Sequence, residues 1–486
     1  MGDHRLAARP RGEPAAPEAR GMSARSALLR FEQTRMLRDR AMPLLLLIFT
    51  LVAAYAALAG DLWAQKRSQA VEQIVAEADE TMALRRAKFA ATVAKGETPG
   101  FGLIFATALP FRAGLPNAPL AALSAGQTET YPPAASISPF ADPHAIIEAH
   151  SAGLENPAVL GAGRFDLAFV IVFLLPLLLI AATYDFWSRD VENGSARLQL
   201  AQPVKPGTLI WTRAATRGAM LLVPTTLIAT ALLFFINPRD PAGLALFALI
   251  VFAYGSFWIV LTAAINLFAR SSTTAALAAG TAWLTIVMLI PASADAVIDL
   301  AAPAPSVIAR NNAVRAAGLE IRAANADAAK AAAAEKGDRA YPASLWHSRR
   351  EIQQRDARLA PLYQDHAAAA SRHRAFADTA RFVSPAVVVQ DALDRIAGTD
   401  ASRALAFQDQ ARAFAGTTRT LAFDWMDGER LMTLADYDGD TLPRFAFAEP
   451  PRSAAQALNF IALGLFTLLA FAVAARRLRR GAAHLL

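Results

Sequence analysis

Phe165–Thr183 reads FDLAFVIVFLLPLLLIAAT, and its only ionisable group is Asp166, next to its start. At a rise of 1.5 Å per residue, such a run is long enough to cross the roughly 30 Å hydrocarbon core of a bilayer. Five further runs share the pattern: Pro43–Gly60, Ala219–Ile236, Ala242–Phe268, Thr273–Ile290 and Ala457–Ala474. The fourth of the six is long enough to tilt or to break in two. Pro176 and Pro224 fall inside the second and third, where membrane helices accommodate proline by local adjustment.

Composition agrees. The chain is 55% hydrophobic with a mean hydropathy of +0.30, against about 45–50% apolar for soluble domains. The excess is concentrated in the six runs. Between them lie charged, alanine-rich stretches. The net charge is +7, but the arginines gather beside apolar runs, so the basic balance points to a membrane surface rather than to nucleic acid. There is no cysteine, which excludes disulfides, thiolate metal sites and cysteine nucleophiles.

Orientation is expected from the basic residues. Nine arginines precede the first run, and Arg189, Arg197, Lys205, Arg213 and Arg217 lie between the second and third. Arg270 lies between the fourth and fifth runs, and Arg476, Arg477, Arg479 and Arg480 follow the sixth. The turn Asn237–Pro241, on the other side, has only Arg239. The positive-inside rule then places both termini in the cytoplasm, in a bacterial inner membrane.

The expected fold class is an all-α membrane protein with six transmembrane helices and two large, mainly helical extracytoplasmic insertions. Its segments are a cytoplasmic leader and amphipathic helix (1–41), the first span (42–60) and a first insertion (61–164). Spans two to five follow (165–290), with an inner loop at 184–217. A second insertion (291–456), the last span (457–475) and a cytoplasmic tail (476–486) complete the chain. Ala57-Leu58-Ala59 resembles a cleavage site, but the preceding stretch is too long for a signal peptide. Met22 is an alternative start. In Ala24–Arg40, Leu28, Leu29, Phe31, Met36 and Leu37 are expected to face lipid. A helix is expected from Leu62 to about Val93, and helical runs at Ala313–Glu335, Ser348–Ala377 and Ala386–Ala397, with an extended return at Asp436–Pro451.

Several chemistries are excluded or disfavoured. No G-x-x-x-x-G-K-[ST] loop occurs, so the chain has no recognisable ATP-hydrolysing site. No charged residue lies deep in a span, which argues against ion-coupled transport and intramembrane proteolysis. Asn266 and Asn459 read as packing residues between helices. Asp436, Asp438 and Asp440 around Gly439 lack the ligand order of a calcium loop. His366 and His373 lack the i,i+4 spacing of a zinc helix. No catalytic residue, bound cofactor or metal is expected.

The loop after the second run is the most specific feature. It reads YDFWSRDVENGSARLQLAQPV over 184–204. A short carboxylate-bearing helix, ended by glycine and followed by a proline turn, makes a compact knob. Glu192, Gly194, Leu200, Pro203 and Val204 resemble the first inner loop of ABC-2 type permeases, in which Glu-x-Gly-Thr-Leu precedes Leu-x-x-Pro-Val. Ser195 and Ala196 replace the threonine and leucine, and Arg213 stands where a lysine often follows. Phe382-Val383-Ser384-Pro385-Ala386, Ala397-Gly398-Thr399-Asp400, Phe407 and Leu442-Pro443-Arg444-Phe445 resemble the outer domain of one branch of that family. The resemblance implies a permease subunit, an exporter, working as a dimer with a second copy or a paralogue. It implies that Asp190, Glu192, Gly194, Arg197, Leu200, Pro203 and Val204 form a coupling loop on a separate ATP-binding subunit, which holds the ATP and Mg. Membrane lipids are the remaining expected partner, and nucleic acid is not one. The alternative is a non-transporting scaffold or sensor that binds partners through its outer domains.

Overall fold

The computed structural model describes residues 24–38, 40–144, 164–237, 239–335, 339–438, 441–451 and 453–481. The leader up to residue 23, Gly439 and Asp440 lie outside them. Six helices are long and apolar enough to cross a membrane: Ala41–Ala94, Leu167–Glu192, Pro206–Ile236, Pro241–Asn266, Ser272–Ala301 and Ala454–Arg479. The chain is a helical, multi-pass membrane protein. An even number of crossings brings the helix Ala24–Arg38 and the end of the last span to one end of the bundle, and the two long insertions to the other.

Two spans run further than their apolar stretches. The first continues without a break to Ala94, so the helix expected from Leu62 is its extension. Gly60 does not interrupt it, and Gln65 donates to Asp61 one turn below, at 2.7 Å. Gly60 matters for another reason: a Cβ there would overlap the carbonyl oxygen of Ala122, so glycine lets the first insertion rest on the helix. The fifth span continues past Ile290 to Ala301. In the second and fifth spans, a π-helical turn, Val170–Leu174 or Thr285–Leu289, comes just before a proline, Pro176 or Pro291. Proline cannot donate to the preceding turn and its ring crowds that turn's carbonyl, and the wider π turn makes room for it.

The bundle core is built from Leu175, Leu222, Phe247, Tyr254 and Trp258, with Ala53 and Leu463 from the first and sixth spans. The helix Pro385–Ala397, which belongs to the second insertion, enters the same core. Val388, Val389, Ala392 and Leu393 are fully buried, and it packs on the fourth and sixth spans. Ser384 fixes its start by accepting from Ala386 N–H (3.2 Å) while donating to Ile286 O on the fifth span (2.6 Å). Gly398, at φ 67°, ends it.

Beyond the helix that ends at Ala94, the first insertion adds a short sheet. It contains antiparallel strands Phe111–Gly114 and Ala134–Ile137, paired Phe111 to Ile137. Their buried face meets Phe407, Ala411, Ala415 and Trp425 of the helix Ala401–Asp427, and Phe445 and Phe447 of the return segment close the layer. The two insertions therefore share one hydrophobic core. The return segment is extended after the short helix Leu434–Asp438.

Candidate functional site

Where the second span ends, Phe186 and Trp187 turn back into the bundle and are almost wholly buried. They pack with Ile210, Ala214, Ala263, Ala264 and Ala474, from the third, fourth and sixth spans. Asn266, buried on the fourth span, fixes the turn. Its carbonyl accepts from Trp187 and Ser188 N–H (3.4 and 3.2 Å), and its amide donates to Thr183 and Thr262 O (3.2 and 3.1 Å). A packing role is what the sequence assigned to this asparagine, and both faces of its amide are used.

The chain then forms two short helices, Ser188–Glu192 and Ser195–Leu200. Between them Gly194 takes φ 74°, a left-handed conformation that a side chain disfavours. Pro203 lies in the next turn, and Pro206 opens the third span. The loop is therefore a two-helix knob with fixed corners.

Its first helix is bolted from below. Asp190 is buried and accepts from Arg213 Nη1 (2.6 Å), Gln199 Nε2 (3.0 Å) and Ser195 Oγ (3.0 Å). Arg213 also donates through Nε to Glu32 (2.8 Å), which is fully buried on the N-terminal helix Ala24–Arg38. One turn further along the third span, Arg217 reaches Glu32 (3.3 Å) and Asp185 (3.4 Å). Asp185 pairs in addition with Arg189 at 3.1 Å. Buried charges are tolerated only when each is paired and hydrogen-bonded, and here three carboxylates enclose two guanidinium groups. Glu32 and Met36 face the bundle, whereas Phe31 and Leu37 are exposed. Met36 thus departs from the lipid-facing expectation, because the network draws its face of the helix onto the third span.

The expected coupling residues divide accordingly. Glu192, Gly194, Arg197 and Pro203 are exposed. Asp190 points inward, and Leu200 and Val204 are half-buried against the bundle. Glu192 accepts from the backbone N–H of Ser272 (2.9 Å), at the start of the fifth span. The knob thus touches the second, third and fifth spans. Sequence reading used Arg217 only for orientation and did not single out Glu32. The signal was present: Glu32 is the single carboxylate in an otherwise basic helix, and Arg213 and Arg217 are spaced i,i+4 on the third span.

Of the weaker sequence candidates, Asp436, Asp438 and His373 find ordinary partners, whereas His366 Nε2 is buried without one among the described residues. Asp436 is held by Arg430 (2.5 Å) and Thr433, and Asp438 by Arg86. His373 Nδ1 lies 2.7 Å from Ala302 O. Among the described residues, no group of three or more His, Asp or Glu is placed to hold a metal.

Residues 319–479 match a family described as a domain of unknown function, DUF3526. The match covers most of the second insertion and the last span, and leaves out the knob. No curated protein matches the chain.

Proposed function

We propose that this chain is the membrane-spanning subunit of an ATP-driven ABC-2 type transporter, an exporter, and that the knob at 184–204 receives a separate ATP-binding subunit. The observation that supports this most is the mechanical state of the knob. Leu198 is 75% exposed, and Glu192, Arg197 and Pro203 are exposed beside it. Directly beneath, Asp190 fastens the same helices to Arg213. An exposed surface on a rigid base transmits displacement, because packed, fully paired elements move as a unit rather than deform. A push on the knob reaches the third span through Arg213 and the fifth through the Glu192–Ser272 bond.

In this reading ATP and Mg bind to the partner subunit. The chain acts as a pair, with a second copy or a paralogue. Both termini are cytoplasmic, in an inner membrane, and the insertions are outside. Glu192, Arg197 and Pro203 touch the ATPase, while Asp190 positions them.

The test is co-expression with an ATP-binding subunit, sought among the neighbouring genes, followed by co-purification and measurement of stimulated ATP turnover. Glu192→Arg is expected to abolish both, because losing one partner of a buried interfacial pair costs about 2–5 kcal/mol and reversal adds repulsion. Asn193→Ala, exposed on the same corner, serves as the control. Asp185 is not suitable, since it belongs to the buried network. Wild-type turnover in Glu192→Arg would overturn the docking assignment. Isolation of a folded chain with no ATPase, under conditions that retain other subunits, would favour the sensor reading, in which the insertions act alone.

A further inference from the structure

The first insertion meets the second in two places. Its sheet packs on Ala401–Asp427. Just after the second strand, residues 138–144 lie as a strap against three helices of the second insertion, Val307–Ala324, Ala343–Ala380 and Ala401–Asp427. Arg419 donates to Pro139 O (3.0 Å) and to Ala141 O, and Asp356 holds the same guanidinium at 2.5 Å. Phe140 meets Phe423 edge-on, with 5.9 Å between ring centres. Tyr363 donates to the buried Asp142 (2.5 Å), which also accepts from His144 N–H (2.9 Å). The His144 ring lies flat on that of Tyr363, with 3.8 Å between centres.

The seat of the strap is crowded with positive charge. His366 stands one turn past Tyr363 on the same helix, with its Nε2 buried. Arg310, on the first of the three helices, and Arg412, on the third, are close enough to repel a charge on either imidazole. Arg355 lies about two turns before Tyr363. The Nε–H groups of Arg355 and Arg412 are buried without acceptors among the described residues. The carboxylates of this cluster are Asp142, Asp356 and Asp409, the last paired with Arg412 at 2.8 Å. Arg310, Arg355, Arg412 and Arg419 thus outnumber the carboxylates before either histidine takes up a proton.

We propose that the seat is an acid-sensitive latch between the two insertions: when His144 and His366 are protonated, the strap 138–144 leaves Tyr363 while the sheet stays on its helix. Histidine is the side chain that ordinarily titrates between pH 5 and 8. Burial, then Arg412 and Arg310, hold the His144 imidazole below its ordinary value against the opposing pull of Asp142 and Asp356. Burial, then Arg310 and Arg412, do the same to His366. The closed latch therefore prefers neutral rings, and opening returns them to an ordinary value near 6.5. Its stability is fully present above that value and is lost as the pH falls below it. The opening equilibrium rises by at most about tenfold per histidine for each pH unit. The latch stands independently of the transporter reading.

Hydrogen exchange of the full chain in nanodiscs, read by mass spectrometry and corrected for the intrinsic rate at each pH, tests it. The reporting amides are Ala141, which donates to Ser138 O (3.0 Å), and His144. Between pH 7.5 and 5.0 their protection is expected to fall by about tenfold or more, while the strands Phe111–Gly114 and Ala134–Ile137 keep theirs. In the double variant His144→Phe/His366→Gln a ring still stacks on Tyr363, but neither side chain titrates, and the pH response is expected to vanish. Each single variant removes part of the response, which keeps the test open if the double variant folds poorly. Protection unaffected by pH in the wild type, a response retained in full by the variants, or an equal loss in the two strands overturns the latch.

Discussion

The bundle handles charge in opposite ways at its two ends. At the end that carries the helix Ala24–Arg38, Glu32, Asp190 and Asp185 close around Arg213 and Arg217. At the end that carries the insertions, Asp295, Asp299 and Arg374 line an open cavity and have no partner among the described residues. A closed network fixes helices against one another, and every member is expensive to remove. An open set of charges contributes little to the fold and is free to meet something else. The contrast separates a closed, paired end of the bundle from an open one.

Removing Glu32 is the strongest way to break that contrast. Glu32→Ala leaves two buried arginines short of their shared carboxylate, and is expected to cost about 3–5 kcal/mol. Thermal unfolding in detergent, with limited proteolysis of the N-terminal helix, measures it. An unchanged unfolding temperature would mean that the network does not hold that helix.

Asp394 probes the boundary between the two regimes. Burial, reinforced by the charges of Asp166 and Asp391, outweighs the hydrogen bonds from Ser124 and Gln390 and pushes its carboxyl up to about 7. The folded protein therefore retains a proton that the unfolded chain releases near pH 4. The stability from this group is fully present below the unfolded value and is lost as the pH rises to about 7. Each pH unit in that window removes at most about 1.4 kcal/mol. Asp394→Asn keeps an acceptor for Ser124 and cannot ionise. Its unfolding temperature should fall less than that of the wild type between pH 4.5 and 7.5, and an identical pH profile would refute the assignment.

The smallest expected effect sharpens the comparison. Asp295→Asn and Arg374→Ala, at residues without partners among the described residues, should change stability by less than about 0.5 kcal/mol. A loss as large as that of Glu32→Ala would show that the cavity charges are structural after all.

Some of this was legible from local pattern. Six long apolar runs, charged at most at one end, predicted six spans, because backbone polar groups in hydrocarbon must pair within their own helix. Asn266 was readable as a packing residue because a lone amide in an apolar helix has few other uses. The knob was readable through its glycine and proline, which restrict φ regardless of context. The ends of the first and fifth spans were less so. Polarity marks where an apolar face stops, whereas a helix stops only where its hydrogen bonding does, at Ala94 and Ala301.

What the sequence by itself determined was the set of elements whose causes are local: span number, the corners of the 184–204 loop, and the absence of a phosphate loop. Tertiary structure alone decided which charges close on one another. Glu32 and Arg213 are far apart in the chain, and nothing near either one specifies the pairing. The same holds for Pro385–Ala397, an amphipathic helix by sequence, which becomes part of the bundle core because the spans leave a groove that its apolar face fills. It holds as well for the cavity. The fold brings Asp295 and Arg374, which have no partner among the described residues, to one lining from two helices far apart in the chain, a placement that no single segment encodes.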